Sequence, residues 1–236
     1  MKDELIRLAE QVGIEISDEQ GKSFIKYMDA LLAFNAHTNL TAITNPREIL
    51  EKHFVDSLLI LKACTLPYGG SLLDVGSGAG FPGIPLLIMR PDLSVTLMDS
   101  AAKRVKFLTQ VISLLSLDAK VIQLRAEEAG RKPEYRESFE VVTARALAAM
   151  RKLSEYCLPL CRVGGIFAAM KGSHADEELR DAENTITVLG GKIEGIWAGQ
   201  LDDGASRSIV VIRKEECTPE KYPRRESAID KKPIEA

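Results

Sequence analysis

The sequence is poor in the residues from which metal sites and hydrolytic sites are built. It contains three histidines, which stand far apart in the chain, and four cysteines that form no Cys-x-x-Cys pair. Zinc sites and Ser-His-Asp triads depend on such residues at characteristic positions. We therefore expect no metal site and no histidine-based triad, and we expect the cysteines to be buried, reduced thiols.

Long hydrophobic runs and an excess of basic charge are also missing. The longest apolar stretches, such as 58–61 and 163–170, fall far short of the roughly 20 residues that cross a bilayer. The first ten residues, MKDELIRLAE, are acidic and amphipathic rather than signal-like. These features favour a soluble, cytoplasmic protein without a membrane partner. Because the formal net charge is −3, a nucleic acid partner would require basic residues gathered on one face.

Two kinds of hydrophobic pattern divide the chain. The first third has helical periodicity, with Asp18 predicted as the N-cap of one helix and Pro46 in the first turn of another. After a break at 67–70, short β-rich segments alternate with helical ones, which is typical of a mostly parallel sheet covered by helices. The predicted strands are SLLDV, SVTLMD, KVIQL, FEVVTA and GGIFAAMK, and the predicted helices lie around 82–89, 101–115, 150–160 and 175–189.

The last fifth of the chain adds a hairpin and a tail. The segments GKIEGIWAGQ and SRSIVVIRK flank LDDGA, in which Asp203 and Gly204 suit a tight turn between antiparallel strands. From Glu215 onward the chain is charged and punctuated by proline, so we expect it to lie extended over the surface or to be mobile. The predicted organisation is a helical cap at 1–66, an α/β domain at 67–214 and a basic tail at 215–236.

The densest glycine cluster follows the first predicted strand of the sheet, in LLDVGSGAGFPGIPLLIM. Open parallel sheets bind ligands at the carboxyl ends of their strands. Gly76, Gly78 and Gly80 would permit positive φ there and let a ligand lie on the backbone, close to the amides of the next helix. A dinucleotide fingerprint would need a sixth-position glycine, where this chain has Phe81, so a nicotinamide-dependent oxidoreductase ranks low.

The spacing Asp-x-Gly-x-Gly-x-Gly, from Asp74 to Gly80, resembles motif I of class I S-adenosylmethionine-dependent methyltransferases, so Asp74 and the three glycines are predicted to contact the cofactor. Two further acidic positions agree with this resemblance. Asp99 ends the second strand, where a carboxylate can accept hydrogen bonds from ribose hydroxyls, and Ala126 with Glu127 follows the third strand, where adenine would lie. The prediction is therefore a Rossmann-like, mostly parallel seven-stranded sheet with S-adenosylmethionine as its cofactor.

The residues around the fourth strand narrow the choice of methyl acceptor without deciding it. Residues 143–146, Thr-Ala-Arg-Ala, replace the Asn/Asp-Pro-Pro-aromatic loop that is common in amino-group methylation. In the sequence, no cysteine stands at the ends of the predicted fourth and fifth strands for carbon-5 methylation, and no aspartate stands next to Arg145 in the chain for ribose methylation. A ring nitrogen with a free lone pair, such as guanine N7, needs no general base and fits this sequence, but other acceptors remain open.

The chain as a whole resembles the bacterial small-subunit ribosomal RNA guanine-N7 methyltransferase family, also called glucose-inhibited division protein B. The segments that carry the resemblance, in order, are NLTAIT, HFVDSL, LLDVGSGAGFPGIPL, MDSAAKRVKFL, RAEE, TARAL, MKG and KYPRRESAIDKKPI. It implies methylation of guanine 527 in the decoding-region hairpin of 16S ribosomal RNA, within the small ribosomal subunit or an assembly intermediate. One departure is Glu226-Ser227, where the family usually has a glycine after its basic pair.

The resemblance also implies cofactor contacts for a set of residues beside those expected from the glycine pattern. These are Gly76, Phe81, Ala126, Glu127 and Arg145. Arg145, which follows the fourth strand, and Lys171, which ends the fifth, are the predicted catalytic residues, each with a structural ion pair as the alternative. His53 and Asp56 either cap the cofactor pocket or form a buried polar pair that holds their helix on the sheet.

Basic residues on one helix and in the tail are the predicted RNA contacts. Lys103, Arg104 and Lys106 should lie outside a buried stripe formed by Val105, Leu108, Ile112 and Leu115, and Arg224 and Arg225 lie in the tail. Solvated surface residues are the alternative for each of them. Two rival functions also remain open: a methyltransferase that acts on protein or a small molecule, and a non-catalytic cofactor-binding module that assists ribosome assembly.

Overall fold

The protein is described by a computed structural model that covers residues 1–202 and 204–234. Its first third is helical, as predicted. The helices there are α1 (Lys2–Gln11), α2 (Asp18–Thr38), α3 (Pro46–Ile49), a π-helical turn (Leu50–Val55), α4 (Asp56–Leu58) and α5 (Ile60–Ala63). No helix of the described residues is both long and apolar enough to cross a membrane.

Helix α2 begins with a capping box one residue before the predicted cap. Ser17 has an extended backbone, its Oγ accepts the N–H of Gln20 at 3.3 Å, and the Gln20 side chain accepts the N–H of Ser17 at 2.9 Å. Asp18 is therefore the first helical residue, and the N-cap prediction was wrong by one position. The placement of Pro46 in the first turn of α3 is confirmed, with Asn45 as its cap.

The rest of the chain folds into one seven-stranded sheet, which confirms the predicted fold class. The strands are β1 (Ser71–Val75), β2 (Ser94–Asp99), β3 (Ala119–Gln123), β4 (Phe139–Arg145), β5 (Cys161–Lys171), β6 (Gly191–Gln200) and β7 (Ser206–Lys214). Their order is β3-β2-β1-β4-β5-β7-β6, and β7 alone runs antiparallel to both of its neighbours. The predicted hairpin is thus present, while Asp203 of its turn lies outside the described residues.

Helices cover both faces of this sheet. They are α6 (Gly83–Met89), α7 (Ala102–Leu115), α8 (Ala126–Ala129), α9 (Met150–Cys157) with a 3-10 turn (Leu158–Leu160), α10 (Ala175–Val188) and α11 (Glu226–Lys231). One face, with Leu72 and Val95, shares a core with the amino-terminal helices, while the other, with Leu73 and Val142, shares a core with α9, α10 and the tail. Successive strand residues point to opposite faces, so each strand serves both cores.

The tail contains a helix and buried residues, so the expectation of an extended segment over the surface was wrong. Tyr222, Ile229 and Ile234 are buried in the second core. Arg136 donates hydrogen bonds to the carbonyls of Tyr222 at 2.8 Å and of Thr218 at 2.6 Å. Because these carbonyls have hydrogen-bond partners within the protein, they do not need water, and this part of the tail can pack against the domain. The Glu226-Ser227 departure from the family pattern falls at the beginning of α11.

Two smaller expectations also need correction. Cys157 and Cys161 are buried, and burial raises the pKa of the Cys161 thiol to about 12, but Cys64 is only partly buried and Cys217 is exposed. The buried stripe of α7 consists of Phe107, Leu108, Val111 and Ile112, so Val105 and Leu115 lie at its margin. Phe107, which was not part of the predicted stripe, packs against α2, with its ring centroid 5.0 Å from that of Phe34.

Candidate active site

The turn between β1 and α6 has the backbone that its glycines predict. Gly76, Gly78 and Gly80 have φ of 69°, 60° and 99°, a region that side chains rarely adopt. A Cβ on Gly76 would come within 2.8 Å of Leu147, and one on Gly80 within 2.6 Å of the Tyr27 hydroxyl. At Gly78 the nearest atom to such a Cβ would be 3.8 Å away, so the backbone there is open to a ligand.

Asp74 lies beneath this turn and is fully buried. Its Oδ2 accepts the N–H of Gly83 at 3.0 Å, while Oδ1 has no hydrogen-bond partner within the described ranges. Burial raises the pKa of this carboxyl to about 7, and the bond from Gly83 opposes the rise. Its position joins β1 to the start of α6, and contact with a cofactor stays a prediction.

Asp99 joins the end of β2 to the same turn. Its Oδ2 accepts the N–H of Gly78 at 2.9 Å, its Oδ1 accepts the N–H of Ala101 at 2.9 Å, and Arg104 approaches Oδ2 at 3.4 Å. A carboxylate offers about four lone-pair positions, so further hydrogen bonds can form without breaking those to the backbone. Both predicted acids are therefore tied to the glycine turn.

A cavity of about 150 Å³ opens beside the turn, and we call it the glycine-turn cavity. The predicted cofactor residues Gly76, Asp99, Ala126 and Glu127 line it, together with Met98, Arg104, Arg125, Leu147, Tyr156 and Glu226. The carboxyl ends of β1, β2 and β3 thus meet at one place, as parallel strand order requires. Tyr156 and Glu226 were not foreseen, because they belong to α9 and the tail.

Phe81, His53 and Arg145 form a stack next to the turn. The Phe81 ring centroid lies 4.5 Å from that of His53 and 4.8 Å from the Arg145 guanidinium carbon. Burial, helped by the charge of Arg145, lowers the pKa of His53 to about 4, so the imidazole is uncharged at neutral pH. Its Nε2 lies 2.9 Å from the Thr41 hydroxyl, which comes from the NLTAIT segment.

A buried carboxylate lies between two arginines behind this stack. Asp56 Oδ2 accepts Arg145 Nη1 at 3.0 Å, and Asp56 Oδ1 accepts Arg207 Nε at 2.7 Å. These contacts agree with the alternative prediction that His53 and Asp56 hold their helix on the sheet. Asp56 does so through its hydrogen bonds with Arg145 and Arg207. Arg207, at the start of β7, was missed because one arginine in a charged strand carries no pattern of its own.

A second, larger cavity of about 640 Å³ lies at the ends of β4, β5 and β7, and we call it the arginine cavity. Its charged lining consists of Lys52, Arg145, Lys171 and Arg207 against Asp56 and Glu178. Lys171 donates to Glu178 and to the carbonyl of Ala148, each at 2.7 Å. Leu147 lines both cavities, so the two adjoin at the loop after β4.

The basic residues predicted to bind RNA lie outside the arginine cavity. Lys103 and Lys106 are exposed on α7, where Lys103 reaches the carbonyl of Thr38 at 3.1 Å. Arg225 is exposed, whereas Arg224 pairs with the buried Glu155 at 2.6 Å. Their contact with RNA stays a prediction, and that of Arg224 would have to coexist with this ion pair.

The sheet order, the glycine turn after β1 and the acid at the end of β2 define a class I S-adenosylmethionine-dependent methyltransferase fold. Solved structures share this fold. TYW2 from M. jannaschii in complex with AdoMet is similar with a TM-score of 0.50, at 15% identity over 67% of this chain and 76% of that chain. Precorrin-6y C5,15-methyltransferase from Geobacter metallireducens GS-15 has a TM-score of 0.50, at 12% identity over 68% of this chain and 87% of that chain.

Sequence comparison assigns the family within this class. The family model for rRNA small subunit methyltransferase G, GidB, matches residues 20–203. Relatives named ribosomal RNA small subunit methyltransferase G are 49% identical in Pelotomaculum thermopropionicum, over 96% of this chain and 95% of that protein, and 46% identical in Desulforamulus reducens, over 98% and 97%. The chain belongs to this family, which confirms the resemblance drawn from its motifs.

Proposed function

We propose that this protein transfers the methyl group of S-adenosylmethionine to N7 of guanine 527 in the decoding-region hairpin of 16S ribosomal RNA. The proposal places the reaction in the cytoplasm, on the small ribosomal subunit or an assembly intermediate. The observation that carries it is the junction of the two cavities at Leu147, where a cofactor on the glycine turn would face an acceptor held among arginines.

The residues of the glycine-turn cavity fit S-adenosylmethionine. Asp99 can accept hydrogen bonds from ribose hydroxyls, and Glu127 in α8 can accept one from the adenine amino group. Gly78, in the adjoining turn, leaves the backbone open. When bound, this cofactor supplies a methyl group on a positively charged sulfur. Displacement at such a carbon needs donor and acceptor in line, so the protein contributes mainly by positioning them.

The ionisable groups of the arginine cavity support an acceptor that needs no general base. Asp56 is paired with two arginines, Glu178 is paired with Lys171, and His53 has a pKa of about 4. An efficient base at neutral pH would need a pKa near 7 and a free acceptor atom. Guanine N7 carries its lone pair in the ring plane and loses no proton on methylation, so it matches this cavity.

Arg145 is the residue that we propose positions the guanine. An arginine can stack on guanine or donate a hydrogen bond to O6, which leaves the N7 lone pair free, and this guanidinium lies over the Phe81 ring at 4.8 Å. Methylation places positive charge on the base, and the Asp56 carboxylate 3.0 Å from Arg145 offsets the repulsion that the guanidinium would exert. Lys171 and Arg207 would hold the neighbouring RNA backbone, with Lys103, Arg104, Lys106, Arg224 and Arg225 as outer phosphate contacts.

The first experiment uses labelled S-adenosylmethionine and small ribosomal subunits from cells that lack this gene. New N7-methylguanine is mapped by borohydride and aniline cleavage. We expect cleavage at one decoding-region guanine with the wild type, and none with Gly78→Asp, which places a second carboxylate beside Asp99. Labelled protein or small molecules, or cofactor binding without any transfer, would instead support the other-acceptor or assembly-factor reading.

A matched pair of arginine variants tests the role of the arginine cavity. Arg145→Ala should lower the transfer rate by about 100-fold, because the acceptor loses its positioning contact. Arg162→Ala removes an arginine from the opposite end of the sheet, where it pairs with Glu140 at 2.6 Å, and should leave the rate within about twofold of wild type. Equal loss in both variants would contradict the proposed role of Arg145.

A further inference from the structure

The carboxyl-terminal tail supplies a side chain to the wall of the glycine-turn cavity. Glu226, the first residue of α11, lines the cavity together with Glu127 and Tyr156. We propose that Glu226 is a positioning residue for adenine recognition: it holds Arg125 away from Glu127, so that the Glu127 carboxylate can accept the adenine amino group. This inference rests on the proposed use of S-adenosylmethionine.

The distances around Arg125 show a competition between two carboxylates. Arg125 Nη1 lies 2.8 Å from Glu226 Oε2 but 3.6 Å from Glu127 Oε1. The shorter distance is within hydrogen-bonding range and the longer one is not. The Arg125 side chain is half exposed, whereas that of Glu127, in α8, is mostly buried. Glu226 therefore receives the hydrogen bond, and Glu127 keeps its acceptor positions.

Glu226 itself is fixed from a second direction. Its Oε1 accepts Lys152 Nζ at 3.1 Å and the Tyr156 hydroxyl at 3.3 Å, both from α9. Each carboxylate oxygen of Glu226 is thus bonded, one to the end of β3 and the other to α9. This arrangement depends on the packed tail. On one side of Glu226, Arg224 pairs with Glu155, and on the other side Ile229 is buried in the second core.

Without the charge of Glu226, the nearest carboxylate left to Arg125 is that of Glu127. A guanidinium that closed on Glu127 would occupy the lone pairs that the 6-amino group of adenine needs. The loss of affinity would be specific to ligands that carry an amino group at position 6 of the purine. A ligand with an oxygen at the same position presents an acceptor there in place of the amino donor, so the bond from position 6 to Glu127 cannot form.

The test is isothermal titration calorimetry on the full chain with two ligands, S-adenosylhomocysteine and S-inosylhomocysteine, in which an oxygen replaces the amino group. Glu226→Gln should weaken S-adenosylhomocysteine binding about fivefold to tenfold and leave S-inosylhomocysteine binding unchanged, so that the dissociation constant of S-adenosylhomocysteine divided by that of S-inosylhomocysteine rises by the same factor. The matched control is Asp230→Asn. Asp230 also bonds Lys152, at 2.7 Å, but it does not line the glycine-turn cavity.

The outcomes separate this inference from the proposed function. If Glu226→Gln weakens both ligands equally, or if Asp230→Asn matches it, the tail acts only through packing and the inference is overturned. If wild type binds tightly and neither variant changes the ratio, the inference fails while the proposed function stands. Failure of the wild type to bind S-adenosylhomocysteine would overturn both.

Discussion

At the scale of single residues, Asp74 is a buried carboxyl whose pKa departs far from its ordinary value. It lies under the glycine turn with one oxygen bonded to Gly83 and the other without a partner in the part of the chain that the structure describes. A buried carboxylate in this position is costly when charged and tolerable when protonated. Its protonation state therefore links the stability of the turn to pH.

The first prediction concerns the pH dependence of Asp74→Asn. The pKa rises from 3.8 to about 7 on folding, so between these values the folded chain holds a proton that the unfolded chain lacks. The contribution of Asp74 to stability then falls as pH rises towards 7, by a few kcal/mol at most. Asparagine has no carboxyl proton to lose and stays uncharged, so the variant should become more stable relative to wild type between pH 5 and pH 8.

Urea unfolding of both proteins at several pH values measures this difference. Asp92→Asn is the control, because a hydrogen bond from Arg90 lowers the pKa of Asp92, whose titration is complete below pH 5. The difference between that variant and wild type should stay constant from pH 5 to pH 8. A constant difference for Asp74→Asn as well would show that Asp74 is ionised throughout this range.

At the scale of secondary structure elements, α2 connects the amino-terminal helices to the site. It carries Phe24 and Tyr27 into the first core, and the Tyr27 hydroxyl donates to the carbonyl of Ala79 in the glycine turn. The Tyr27 ring also stacks on Phe81 at 5.4 Å. The start of α2 therefore helps to set the position of a side chain that supports the cofactor turn.

The second prediction concerns the capping box of α2. Ser17→Ala removes the hydrogen bond to the N–H of Gln20, and the free energy of unfolding should fall by about 1 kcal/mol. Ser23→Ala is the matched control, since Ser23 lies within the same helix and its hydroxyl donates to the carbonyl of Glu19 at 3.1 Å. That change should cost less than about 0.5 kcal/mol, because alanine is the better helix former. Similar losses in the two variants would argue against the cap.

At the scale of the whole molecule, the amino-terminal helices and the sheet share one hydrophobic core. Leu5, Phe24 and Phe54 from the amino-terminal helices belong to the same core as Leu72 and Val95 from the sheet. Removing the helices would expose this face of the sheet to water, at a cost of roughly 25 cal/mol per Å² of apolar surface. The division at residue 66 stays a prediction, and we expect the parts on either side of it to unfold together.

The third prediction follows from this shared core. Unfolding in urea should give the same midpoint by far-ultraviolet circular dichroism, which follows the helices, and by fluorescence of the single tryptophan, Trp197 in β6. S-Adenosylhomocysteine should shift both midpoints together. A helical transition at lower urea than the fluorescence transition would show that the cap unfolds by itself.

The amino-acid sequence by itself determined the class of fold, the glycine turn and the family. Strand periodicity, positive φ at glycine and an acid after a strand are local properties, so β1, Gly78 and Asp99 were visible without a structure. The same local reasoning placed the cap of α2 within one residue. It was wrong about the tail, because charge and proline content predict exposure to water but do not show which hydrophobic core the apolar residues of the segment pack into.

Only the tertiary structure decided which distant side chains meet. Arg207 bonds Asp56 across 151 positions of the chain, and Arg125 bonds Glu226 across 101. Both pairs depend on the strand order, which brings β7 next to β5, and on the packing of the tail beneath α9 and α10. No short pattern encodes such pairs, because their energy arises only when elements far apart in sequence are packed together.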